Sequence, residues 1–191
     1  MRQQHRLPPG TTKFTAHLHS LNDFALCYNR LVDKSAIRTA ILRQLESDLA
    51  MQTQAALTSR DEATHEESKA DNKYDTHAQE AAYLAEGQAR IVAELRESIS
   101  QFAILPMTPH HPSDHISLGA IVTLQDPNGG LSSLLLGPRA GGLEVEHEGV
   151  RIMVVTPASP LGRQLLGRKV GETVDAMENR VSRTLRIVAV N

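Results

Sequence analysis

The sequence predicts an α+β protein built from an N-terminal antiparallel α-helical coiled-coil hairpin followed by a small β-rich domain. Punctuation is the first reason. From Thr11 to Leu105 there is no proline and a single glycine, Gly87, whereas Pro106 and everything after it carry seven prolines and ten glycines. A breaker-free stretch followed by a breaker-rich one reads as long helices, then short strands joined by turns. Periodicity is the second reason. Ile37, Ile41, Leu45 and Leu49 recur every four residues, and Ala78, Ala81, Ala85, Val92, Leu95, Ile99 and Phe102 recur at three- or four-residue steps, with a gap at Gln88. Both stripes are narrow helix seams.

A single helix from Lys34 to Ala103 would run about 105 Å at 1.5 Å per residue, with nothing to cover its stripe. Folding back gives two arms of roughly 50 Å that bury their seams against each other. The seam fades between Ala56 and Tyr74, and "SKAD" (Ser68–Asp71) fits the capping box that starts a helix. The bend is therefore expected near residues 66–72, within the charged stretch "THEESKADNKYD". Residues 33–104 form the hairpin in this reading, and 105–117, "LPMTPHHPSDHIS", form a linker.

The strands follow in residues 118–191. "LGAIVTLQDPNGG" is an apolar run ending in a turn, and "LSSLLLG" is its return strand. "GVRIMVVTPASP" is a β-branched run stopped by prolines. "LGRQLLGRKVG" reads as a short helix closed by glycine, and "RVSRTLRIVAV" alternates as a final strand.

Composition excludes several classes. A net charge of −2 provides no basic field for nucleic acid, and 3% aromatics provide no stacking surface for single strands. No sequence-specific contact with nucleic acid is expected. No run approaches the roughly 18 apolar residues of a membrane span, so a cytoplasmic monomer with no membrane contact is expected. Cys27 stands alone in the sequence, which rules out an internal disulfide, and no base is patterned to activate it. His110, His111 and His115 do not fit a zinc spacing. "GRQLLGRK" departs from a phosphate loop because Arg168 follows its second glycine and no Ser or Thr follows Lys169.

Particular motifs carry a family resemblance. "SPLGRQLLGRKVGE" (Ser159–Glu172) resembles the C-terminal motif of the bacterial Gre transcript-cleavage factors, S-P-[IL]-[AG]-R-x-L-[IL]-G-[KR] followed by x-x-G-[DE]. Its residues here are Ser159, Pro160, Arg163, Leu165 and Gly167. "LGAIVTL" resembles the opening strand of that family's C-terminal domain. Asp71-Asn72 and Glu86-Gly87 match an acid-Asn pair and a Glu-Gly pair at the family's separation. The resemblance spans about residues 33–191 and implies a C-terminal domain with a fold like the FK506-binding isomerases. It implies RNA polymerase as partner, with the hairpin tip entering the secondary channel. Isomerase activity is not expected, because no Phe, Tyr or Trp follows Phe102 to wall such a pocket.

In that family two tip acids help the polymerase hold a second Mg²⁺ and its water, and the polymerase then cuts backtracked RNA. Against the family's tip motif, G-D-x-x-E-N, Asp71 stands for the second acid, but Ser68 stands for the first and Glu67 for the glycine. Glu67 and Asp71, four apart, would share a helical face and are the candidate Mg²⁺ ligands. Lys69 and Lys73 offset their charge, and Ser68, Asn72, Lys69 and Lys73 are the candidate tip contacts. The bland reading of the tip is a solvated charge cluster with no ligand. The expectation is an accessory elongation factor with no catalytic residue of its own. The alternatives are a channel-blocking regulator that does not promote cleavage, and a coiled-coil adaptor unrelated to transcription. Residues 1–32 are read as disordered or as a non-native extension. The resemblance places the natural start at Val32, a hypothesis that native peptides upstream of Val32 would remove.

Overall fold

The computed structural model describes residues 33–64, 77–111, 113–178 and 181–191. The acidic tip, with Glu67, Ser68, Lys69, Asp71, Asn72 and Lys73, lies outside them, as do residues 1–32 and Cys27.

Two helices, α1 (Lys34–Thr64) and α2 (His77–Ile104), form the hairpin. Asp33 begins it: its Oδ1 accepts from the backbone N–H groups of Ser35 (2.8 Å) and Ala36 (3.3 Å), which the first turn would otherwise leave unbonded. A bond from the Ser35 hydroxyl, and then these two backbone bonds, hold the Asp33 carboxyl below its ordinary pKa. Over Ile37–Leu45 and Val92–Phe102 the seams fall where the periodicity places them. Ile37, Ile41, Leu45, Val92 and Phe102 are buried, and Leu95 and Ile99 pack against them. Away from this root Met51, Leu84 and Ile91 are exposed. Gln88, in the gap of the second seam, buries an Oε1 that has no hydrogen-bond partner among the described residues.

The remainder is a six-stranded mixed sheet in the order β3-β4-β2-β1-β6-β5. Its strands are β1 (Ile121–Gln125), β2 (Leu131–Leu136), β3 (Glu144–His147), β4 (Val150–Val155), β5 (Thr173–Glu178) and β6 (Val181–Val190), with helix α3 (Pro160–Leu165) between β4 and β5. β1 and β2 form the expected hairpin, pairing Ile121 with Leu135 and Gln125 with Leu131. Asp126 closes its turn by accepting from Asn128 N and Gly130 N. β2 and β4 run parallel, and every other pair is antiparallel.

Two cores explain why the central strands are apolar almost throughout. Side chains alternate across a strand, so a strand covered on both faces has no polar side. Ile121, Leu135, Ile152 and Val154 face Ile37, Ile41, Leu45 and Phe102 of the hairpin root. Their neighbours Val122, Leu134, Leu136 and Val155 face Leu165 of α3 together with Val174 and Ile187. The hairpin is thus packed directly on the sheet. Leu105, the first residue of the expected linker, is buried in the shared core.

The edge strands β3 and β5 are absent from the sequence reading. β3 turns only Val145 inward and carries Glu144 and Glu146 outward, and among the described side chains β5 buries only Val174. One inward residue leaves no apolar period, and outward charge on an edge strand opposes pairing with other chains.

Candidate functional site

The motif Ser159–Gly167 forms a capped turn of helix lying on one face of the sheet. Ser159 is the N-cap in an extended conformation. Its Oγ accepts from Gly162 N (3.0 Å) and donates to the Thr156 carbonyl (2.8 Å). Pro160 occupies the first turn, where its missing N–H costs nothing. Gly162 has a steric cause: a Cβ there would collide with the Thr156 carbonyl oxygen. Leu165 is fully buried in the second core. Gly167 takes φ +80° just past the helix end and donates to the Ile116 carbonyl (2.8 Å), while Ile116 N donates back to Arg168 O.

Further bonds fix the turn to its surroundings. Gln164 Nε2 donates to Asp175 O (2.8 Å), and Asp175 N donates to Gln164 Oε1 (2.9 Å), which locks α3 to β5. Glu172 accepts from Lys169 N and pairs with Arg168 at 3.0 Å, and these contacts hold its carboxyl below the ordinary value. Of the motif residues expected from sequence, Ser159, Pro160, Leu165 and Gly167 therefore have structural work. Arg163 is exposed, and its side chain makes no hydrogen bond among the described residues. It is the motif residue whose side chain is left to face outward.

Beside α3 lies an open groove. One cavity of about 520 Å³ is bounded by Thr156, Pro160, Leu161, Gln164 and Met177. A second, of about 440 Å³, continues past Leu131, Leu134 and Leu185, and the two share Met153, Leu161, Ala176 and Met177. The walls are mostly aliphatic, with Asp126 and Arg183 at the far end. Met177, 75% exposed, and Leu131, 50% exposed, stand on its rim. Methionine suits such a surface because its thioether conforms to varied partners. Among the described residues no aromatic side chain lines either cavity. Sequence reasoning found α3 but not the groove, because its other wall comes from β5.

Two of the three linker histidines are engaged as hydrogen-bonding groups. His110 Nε2 lies 2.9 Å from Ser117 Oγ, and His111 Nδ1 lies 2.8 Å from Ser113 Oγ. Among the described residues no group of three or more His, Cys, Asp or Glu is placed to hold a metal ion. No helix among them is long and apolar enough to cross a membrane.

A small mixed sheet that packs on a helical hairpin with one face and carries a Ser-capped turn on the other defines the class of domain. Residues 111–191 match the family model described as transcription elongation factor GreA/GreB, C-terminal. Residues 111–191 thus carry a domain of the GreA/GreB C-terminal type, and the resemblance read from "SPLGRQLLGRKVGE" is borne out. Among solved structures the chain is similar to the transcription factor Gfh1, at 22% identity over 80% of this chain and 94% of that one, with a TM-score of 0.35. It is also similar to the GreA factor homolog 1 (Gfh1) of Thermus thermophilus, at 22% identity over 78% and 94%, TM-score 0.35. A third is the elongation factor GreA/GreB from Nitrosomonas europaea, at 17% identity over 55% and 90%, TM-score 0.34. No curated protein matches the chain.

Proposed function

We propose that this protein is an accessory transcription elongation factor that binds RNA polymerase and acts through the secondary channel. The observation that carries the reading is the GreA/GreB domain over residues 111–191, its characteristic motif built into one wall of an accessible groove. The groove beside α3, with Met177 on its rim and Arg163 on the outer side of the helix, supplies the docking surface at the channel mouth. The hairpin, seated on the opposite face of the same sheet, carries the tip inward.

Mg²⁺ is a hard ion that takes oxygen ligands, so the donor set at the tip decides what the tip can do. Asp71 and Glu67 provide carboxylates that suit a Mg²⁺ shared with the polymerase. Ser68 provides only a hydroxyl, and Lys69 and Lys73 reduce the local negative charge. When bound, the ion would supply activation of water for phosphodiester hydrolysis. This chain's part is to bring Asp71 and Glu67 to it, and any cutting of RNA belongs to the polymerase. The replacement of the first acid by Ser68 favours a second reading, in which the tip occupies the channel without promoting cleavage.

A backtracked elongation complex with labelled RNA and Mg²⁺ tests both. Shortening of the 3′ end above background supports cleavage stimulation. Binding without shortening supports the channel-blocking reading, and absence of binding removes both.

A further inference from the structure

Lys34 is an unusual residue for a protein interior: it is 6% exposed, yet it is the first residue of a helix on the edge of a cavity. Lysine is almost never fully buried unless its head group is paired. Its Nζ donates to the Thr108 carbonyl (2.6 Å) and lies 3.1 Å from His110 Nδ1. An ammonium has donors only, so the imidazole nitrogen facing it must be the acceptor. The proton of His110 then sits on Nε2, which donates to Ser117 Oγ. The cavity beside this pair is about 320 Å³, bounded by Lys34, Ser35, Met107, Pro109, His110 and Asn191, with Asp33 also in its wall. The Asp33 carboxylate is engaged in the helix cap.

From this juxtaposition of an amine, an imidazole lone pair and an open cavity we infer that Lys34 is a site of acylation by small acyl phosphates, with His110 as the proton acceptor. The neutral Nζ attacks the carbonyl carbon, and the N–C bond forms as the C–O bond to phosphate breaks. Phosphate leaves with the bonding pair. The proton lost by nitrogen passes to His110 Nδ1 and from there to solvent, leaving an uncharged acyl-lysine. The cavity admits an acyl phosphate of a few carbons and is at the low end of the range for larger ligands.

Electrostatics support the geometry. Burial brings the Lys34 pKa down to about 8, so about a quarter of it is neutral at pH 7.5, against about a thousandth for an ordinary lysine. Burial and the adjacent Lys34 charge lower the His110 pKa, which keeps its lone pair free of a proton near neutrality, while the Thr108 backbone and then Asp114 act in the opposite direction. Acylation has a structural consequence as well. The amide product keeps one N–H, so it cannot serve both Thr108 and His110, and the tie between the hairpin root and the 108–117 segment is weakened.

The test uses the intact chain with acetyl phosphate at pH 7.5, following acetylation of Lys34 and of exposed Lys169 over time by peptide mass spectrometry. Lys34 is expected to react roughly tenfold faster or more, with a rate that levels off above about pH 8. His110→Gln is expected to slow Lys34 several-fold and leave Lys169 unchanged. Equal rates at the two lysines overturn the inference, as does a Lys34 rate that climbs steadily to pH 10. The pH profile of the unmodified sequence makes the test independent of whether the variant folds. None of these readouts involves polymerase.

Discussion

The joint between hairpin and sheet rests on Phe102, and removing its ring should reveal how much. The side chain is fully buried at the end of α2, in the core shared with Ile121, Leu135 and Val154. Phe102→Ala therefore leaves a cavity that the sheet on one side and α1 on the other cannot close together. The expected cost is about 3–5 kcal/mol. For a chain of this size each kcal/mol lowers Tm by about 2–4 °C, so the fall should be about 6–20 °C. Gly137 provides the internal check. A Cβ on Gly137 would come within 2.9 Å of Phe102 Cζ and 2.8 Å of Val154 Cγ1, both too close. Gly137→Ala should alone cost about 1–3 kcal/mol through overpacking. Once the ring is gone part of that clash disappears, so the double variant should be more stable than the sum of the two by about 0.5–3 kcal/mol. Urea unfolding of the four proteins measures the cycle. A Phe102→Ala cost below about 1 kcal/mol, or strict additivity, would refute the idea that the hairpin root and sheet share one tightly packed core.

Ser159→Ala removes the cap of α3 and the bond to Thr156; a loss of about 0.5–2 kcal/mol in urea unfolding is expected. Lys34 gives a pH signature. Its folded pKa, about 8, lies below that of an unfolded lysine, so the unfolded chain binds the proton more tightly. Stability should accordingly rise as pH increases from about 8 to about 10.5, and Lys34→Met should flatten that rise in thermal scans. Arg163→Ala should leave Tm unchanged and weaken polymerase binding, as read by titration with labelled protein. Asp71→Asn should abolish any cleavage stimulation while far-UV circular dichroism still reports the same helix content; a variant that cleaves like the parent ends the proposed role of Asp71.

Elements that bury a repeated stripe were legible in the sequence. Ile37, Ile41 and Leu45 mark their helix because each fourth residue must be apolar, and "IVTL" and "VRIMVV" mark strands because both faces are covered. β3 and β5 were hidden because a single inward side chain, Val145 or Val174, forms no pattern. The packing of Phe102 onto β4 was hidden for a different reason. Local periodicity says which face is apolar but not what meets it, and the hairpin looked self-sufficient. Asp33 was passed over as a cap, although Asp-Lys-Ser before an apolar stripe carries that signal. At the candidate site the motif Ser159–Gly167 was legible by resemblance. Its physical logic needed coordinates: Gly162 against the Thr156 carbonyl, and Gln164 bonded to the backbone of β5. The tip residues Glu67, Ser68, Asp71 and Asn72 lie outside the described residues and rest on the sequence alone.

The groove beside α3 is the surface proposed to dock this protein on RNA polymerase. Its most direct test is a binding titration of core polymerase with the intact chain and with Met177→Asp, a rim substitution on an exposed side chain that the fold does not need. Saturable binding by the parent, weakened at least about tenfold by a charge placed in the apolar groove, is the expected result. Absence of parental binding, or equal binding by Met177→Asp, would contradict it.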